Sequence, residues 1–155
     1  MENASYNNVS ANVIYDNIYH GIYLFNSSNQ NSISENIIYN NSFVSPSGGI
    51  GIVASGNNAI SFKSAYNNSN DGIYLLSSNN NNTIKGNTLY NNFYDGIFLN
   101  ASINNSIYQN NIYNNSYGGI WLHYYTYNNT IFYNTIISNN QYGIGASILA
   151  EDNYI

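Results

Sequence analysis

Asp71 and Asp95 are the residues of this chain whose type and spacing come closest to acid–base chemistry. Each stands directly before a Gly-Ile step, and they are 24 residues apart. If those residues make one closed turn of chain, the two Cα atoms lie about 5 Å apart. At that range a carboxylate pair can hold a cation or serve glycoside hydrolysis. Asp before Gly is also ordinary turn chemistry. Two residues after the corresponding Gly, three coils in succession carry Tyr74, Phe98 and Trp121, while the same place is Tyr23, Gly51 and Gly145 in the others. Such a column predicts an exposed aromatic stripe beside the two Asp. Aromatic faces stack on the C–H faces of sugar rings while Asn and Asp bond the hydroxyls; an aromatic ladder can equally serve only to stabilise a sheet.

The remaining candidates are few. His20 and His123 are the only histidines, with one Met and no Cys. That set does not assemble a copper or zinc site of the usual kind, so both are read as solvent-facing corner residues and no metal or other cofactor is expected. Two Lys, no Arg and a net charge of -5 leave nothing to neutralise a phosphate backbone, which disfavours nucleic acid. No run of about 18 apolar residues exists, so membrane insertion is not expected.

What must position these residues is a repeat. The Gly-Ile step recurs at Gly21, Gly49, Gly72, Gly96, Gly119 and Gly143, at intervals of 23 or 24 residues with one longer copy. Each copy holds three short apolar segments set off by Asn, Ser and Gly, and none carries a helical stripe. Inward columns follow: Val9, Ile33, Ile60, Ile84, Ile107, Ile131 and Ile155; then Ile14, Ile38, Ala65, Leu89, Ile112 and Ile136. The third segment supplies two more, headed by Ile22 and Leu24. Stacking buries these sets, which no single coil could bury alone. Asn columns at the corners, such as Asn17, Asn41, Asn68, Asn92, Asn115 and Asn139, suit positions of positive φ and allow amides to bond from coil to coil. A Tyr ladder, Tyr15, Tyr39, Tyr66, Tyr90 and Tyr113, is regular enough to be read as structural.

The reading is an all-β chain: a single-stranded parallel β-helix of about six coils with three short strands each, spanning residues 1–155 as one domain. Phe43 to Gly48, with the only Pro, is expected to bulge as a loop. Lys63 breaks the second Asn column. No cap is evident before Asn7 and Ile155 falls on a core position, so the chain is expected to be a fragment of a longer protein or to associate end to end.

The pattern Asn-Thr-Ile, Asn-x-Ile, Asn-Asn, Gly-Ile-x-Leu resembles the right-handed parallel β-helix repeat family, which includes carbohydrate-binding proteins, sugar hydrolases, NosD-type periplasmic domains and archaeal adhesin-like surface proteins. The resemblance covers Asn7 to Ile155 and, with the rule for parallel crossovers, supplies the handedness. It implies an extracellular, cell-surface or periplasmic location. Pectinase-like relatives grip uronates with further Asp and basic residues, whereas the column here reads His20, Gly48, Asp71, Asp95, Gly118 and Tyr142. Two functions result. The first is a structural or adhesive segment that binds a polysaccharide or cell-surface glycan through Tyr74, Phe98, Trp121, Asp71 and Asp95. The second is a polysaccharide-acting enzyme with Asp71 and Asp95 as its catalytic acid pair. An ice-binding rod would need flat Thr ladders, which are missing.

Overall fold

Apolar residues that recur once per coil leave the chain one way to hide them, which is to wind around them. A computed structural model describes residues 1–41, 47–62, 64–77 and 80–155, and it is a right-handed parallel β-helix. Its strands stack into three six-stranded parallel sheets. The first sheet runs from Asn8–Ser10 to Thr130–Phe132 and the second from Val13–Tyr15 to Thr135–Ile137. The third comprises Ile22–Phe25, Gly48–Val53, Asp71–Leu76, Ile97–Asn100, Gly118–Leu122 and Tyr142–Ala146.

Register follows the Ile columns. Ile84 lies between Ile60 and Ile107, Leu89 between Ala65 and Ile112, and Ile97 between Ile73 and Ile120. All nine are fully buried. β-Branched side chains suit a pleated surface, and burial of each large one contributes about 1.5–3 kcal/mol. At the last coil Ile131 is still buried while Ile136 and Ile144 are only partly so. Ile155, expected inward, is 67% exposed, since nothing stacks on it beyond the Thr130–Tyr154 bridge.

The corner columns hold by a repeated hydrogen-bond unit. Asn92 donates its backbone N–H (3.1 Å) and its Nδ2–H (3.0 Å) to Oδ1 of Asn115 one coil on, and the second Nδ2–H to the Ala65 carbonyl one coil back (3.1 Å). Such an amide is buried without leaving its polar atoms unpaired, which would be costly; Asn58 Nδ2 and Asn87 Oδ1 are exceptions among the described residues. The stacked Asn is not the residue of positive φ, however. That conformation falls one place earlier, at Asn40, Asn67, Asn91 and Asn114, but also at Gln30, Glu35, Phe62 and Tyr133. The tight corner therefore sets φ on one residue and requires a side-chain amide on the next.

Gly48 opens the strand Gly48–Val53 and Ser47 is buried, so the expected loop ends before them. The remainder of that loop, Phe43 to Pro46, lies outside the described residues, as does the break at Lys63. The third sheet also differs from the other two. Strands of the first and second bury one residue in three at most, whereas Gly48–Val53 and Asp71–Leu76 bury every residue but the last. Something covers the outer face of the third sheet, and that cover is the candidate site.

Candidate functional site

The outward column of the third sheet aligns Gly51 with Tyr74, Tyr74 with Phe98, Phe98 with Trp121 and Trp121 with Gly145. A continuous stripe is nevertheless not what forms. Tyr74 leans back over Gly51, where any Cβ would collide with its ring, and its hydroxyl reaches the His20 ring nitrogens at 3.3–3.4 Å. Trp121 leans the other way, over Gly145, and its indole lies 4.9 Å from the Tyr142 ring. The two glycines are seats for bent-over rings. Tyr74 is consequently buried at 3% exposure, which corrects its expected place on an open stripe. Phe98 and Trp121 remain half-exposed.

Between the parted rings a cleft of about 390 Å³ opens, with Phe98 in it. Its other wall is Tyr94 and Tyr117, which stand two residues before the Gly-Ile steps and meet edge to face at 6.4 Å. Tyr94 is 43% exposed and so marks the mouth. Asn70, one coil earlier in the same column, and Leu76 complete that side. The wall residues were missed in the sequence because their column, Tyr19, Ser47, Asn70, Tyr94, Tyr117, Gln141, changes type in nearly every coil. Its register with the Gly-Ile step is the signal that could have found them.

Asp71 and Asp95 both line the cleft and both are buried. Asp71 Oδ1 accepts the Asp95 backbone N–H at 3.0 Å, so one acid fixes the chain that carries the other. Asp95 Oδ1 accepts the Tyr142 hydroxyl at 3.0 Å, from two coils away. Tyr142 can reach so far because position 118 is Gly, where any Cβ would enter its ring. Burial pushes the Asp95 carboxyl up to about 6, against the Tyr142 hydroxyl and Gly118 N–H that pull it down. Burial raises Asp71 well above the usual carboxylate range; the Asp95 N–H opposes this and the Asp95 charge adds to it. Burial thus favours the protonated form of both carboxyls, a shift of the kind found at acid–base sites. The Asp71 carboxylate is thus used between coils, in the bond to the Asp95 N–H.

The histidines are less exposed than solvent-facing corner residues would be. His20 stacks on Tyr23 at 4.2 Å and meets the Tyr74 ring at a tilt at 5.6 Å, and burial lowers its pKa to about 4. His123 packs on Tyr124 at 4.2 Å and touches Phe98 and Trp121.

No curated protein matches the chain. Its fold is similar to the crystal structure of the periplasmic alginate epimerase AlgG, at 27% identity and a TM-score of 0.89 over 97% of this chain and 35% of that one. The D317A mutant of AlgG aligns equally well, at 28% identity over 96% of this chain and 35% of that one, with a TM-score of 0.89. The A-module of the Azotobacter vinelandii mannuronan C-5 epimerase AlgE6 shares the fold at 16% identity and a TM-score of 0.71, over 97% of this chain and 53% of that one. The chain spans about a third of the length of AlgG. A family described as periplasmic copper-binding protein (NosD) matches residues 40–155. The donors present do not fit copper. His20 and His123 lie four coils apart, on the order of 19 Å, His20 is occupied by Tyr74, and no three of His, Cys, Asp and Glu gather among the described residues. The match nevertheless runs through the coils that build the cleft, and by its repeat, its fold and that match the chain belongs to the NosD family of parallel β-helix proteins.

Proposed function

We propose that this chain is a structural or adhesive β-helix segment, periplasmic or at the cell surface, that binds a polysaccharide across the outer face of its third sheet. The observation that carries the reading is the cleft itself. Rings leaning onto Gly51 and Gly145 hold open a space of about 390 Å³, with Phe98, Trp121, Tyr94 and Tyr117 around it and Asn70, Asp71 and Asp95 as polar groups in its lining. Apolar walls with a few convergent polar groups are the usual make-up of a ligand site, and aromatic faces suit sugar rings. The likeness to an alginate epimerase supports a polysaccharide as the class of ligand.

A second reading, a polysaccharide-acting enzyme, is favoured by one observation. Asp71 and Asp95 share the cleft, and burial raises the pKa of both above the usual carboxylate range, as a general acid requires. A single experiment separates the two. Oligosaccharides are titrated into wild type and Trp121→Ala by calorimetry, and the same mixtures are assayed for cleavage, elimination or epimerisation. Binding that Trp121→Ala abolishes, with no product formed, supports the binding segment; turnover lost in Asp95→Asn would install the enzyme in its place.

A further inference from the structure

Resting on the polysaccharide reading, we propose that the cleft selects a cationic amino sugar, a 2-amino-2-deoxyhexose unit whose ammonium group lies between the aromatic walls and the Asp95 carboxylate, and that it rejects uronates. Charge is the first argument. Two buried carboxyls line the cleft. Among the described residues the one Lys is Lys85, in the first sheet, where its Nζ lies over the rings of Tyr108 and Phe62. A uronate carboxylate would enter the cleft beside Asp95 with no cation among the described lining residues to neutralise it, whereas an ammonium group supplies the missing charge.

The walls are the second argument. Phe98, Trp121, Tyr94 and Tyr117 converge on the same space as the carboxylate. Aromatic side chains around an anion are the combination that recognises organic cations, through ring quadrupole and charge together. The volume, about 390 Å³, is at the small end of ligand pockets and suits one pyranose ring, not a bulky headgroup.

The third argument is why an acid is retained. The coils on either side place Gly48 and Gly118 where this pair has Asp71 and Asp95, so the corner closes without any side chain there. Asn would make the same turn and accept the Tyr142 hydroxyl without carrying a charge that is costly to bury. A ligand cation offsets that cost. The titratable groups around Asp95 are Asp71, Tyr142 and the cleft tyrosines, while His20 touches the cleft through Tyr74 and His123 through Phe98 and Trp121.

The test titrates the intact chain with three trisaccharides: glucosamine, its N-acetylated form, and mannuronate. A permanently charged probe, tetramethylammonium, is then titrated between pH 4 and pH 7. Expected at pH 7 is at least about tenfold tighter binding of the amine than of the acetylated trisaccharide, with mannuronate the weakest. Tetramethylammonium should bind about a hundredfold more weakly at pH 4 than at pH 7, because only about one part in a hundred of Asp95 is then ionised. Asp95→Asn should lose both the amine preference and the pH dependence while keeping its fold by circular dichroism. Tyr66→Ala, in the second sheet and away from the cleft, should retain the amine preference. Equal binding of the amine and acetylated forms overturns this proposal and leaves polysaccharide binding standing; failure of all three trisaccharides to bind overturns both.

Discussion

Two aromatic columns run along this rod at the same spacing and behave differently. In the second sheet Tyr15, Tyr39, Tyr66, Tyr90 and Tyr113 stack face to face with centroids 4.7–5.2 Å apart and rings within 9° of parallel. In the third sheet Tyr74, Phe98 and Trp121 are also strand partners, yet their ring contacts go elsewhere: Tyr74 to His20, Phe98 to His123, Trp121 to Tyr142. An unbroken column confines each ring between two like neighbours, so all take one orientation. A glycine beside a ring removes that confinement and the ring lies down over it. The ladder is a closed surface and the splayed column an open one, decided by Gly51 and Gly145 rather than by the aromatics.

The harshest way to break the comparison is to remove what both columns stand on. Ile97→Asp puts an unpaired charge in the fully buried core and should cost more than about 5 kcal/mol, seen as loss of the β-sheet circular dichroism signal. Next comes Asp95→Asn, which acts on the open column alone. The folded pKa of about 6 lies above the ordinary 3.8, so Asp95 contributes stability below about pH 4 that is lost as pH rises through 6. At pH 7 the substitution should therefore stabilise by up to about 3 kcal/mol, and below pH 4 by nothing. His20, with its pKa lowered, acts oppositely, losing stability as pH falls from 6.5 to 4, so the informative quantity is the difference in melting temperature between variant and wild type at each pH.

Gly145→Val should convert an open column toward a closed one. Displacing the Trp121 indole from its seat should cost about 1–3 kcal/mol and weaken oligosaccharide binding, both measurable in one series of ligand-dependent melts. In the ladder, Tyr66→Ala removes two stacked contacts and should cost about 1–2 kcal/mol while binding is unchanged. Smallest in stability is Trp121→Ala, about 1 kcal/mol or less for a half-exposed side chain, although calorimetry should show oligosaccharide binding abolished. Equal effects of Tyr66→Ala and Trp121→Ala on binding would remove the distinction between the columns.

The inward columns and the Asn corners were legible in the sequence because each position asks for one residue type in every coil. Ile60, Ile84 and Ile107 repeat since the same hole repeats. The cleft was only half legible. Its acids and two of its aromatics stood out, but Gly51 and Gly145 read as gaps in a stripe when they are the cause of its opening. The Asp95–Tyr142 bond joins residues 47 apart, across two coils, and no pattern of single-coil period contains it. Periodicity reveals what each coil does identically, whereas a site is made where neighbouring coils differ.

The Asn columns also give the rod a direction. In the column from Asn17 through Asn41, Asn68, Asn92 and Asn115 to Asn139, each amide donates one Nδ2–H to the side-chain oxygen of the following coil, so the side-chain oxygens point toward the preceding one. The first coil therefore shows a face of acceptors at Asn7, Asn12 and Asn17, and the last a face of donors. Two such faces are complementary to each other but not to themselves. Any further coil, from this chain or another copy, can prolong the columns only head to tail; a two-fold, head-to-head joint would set acceptor against acceptor.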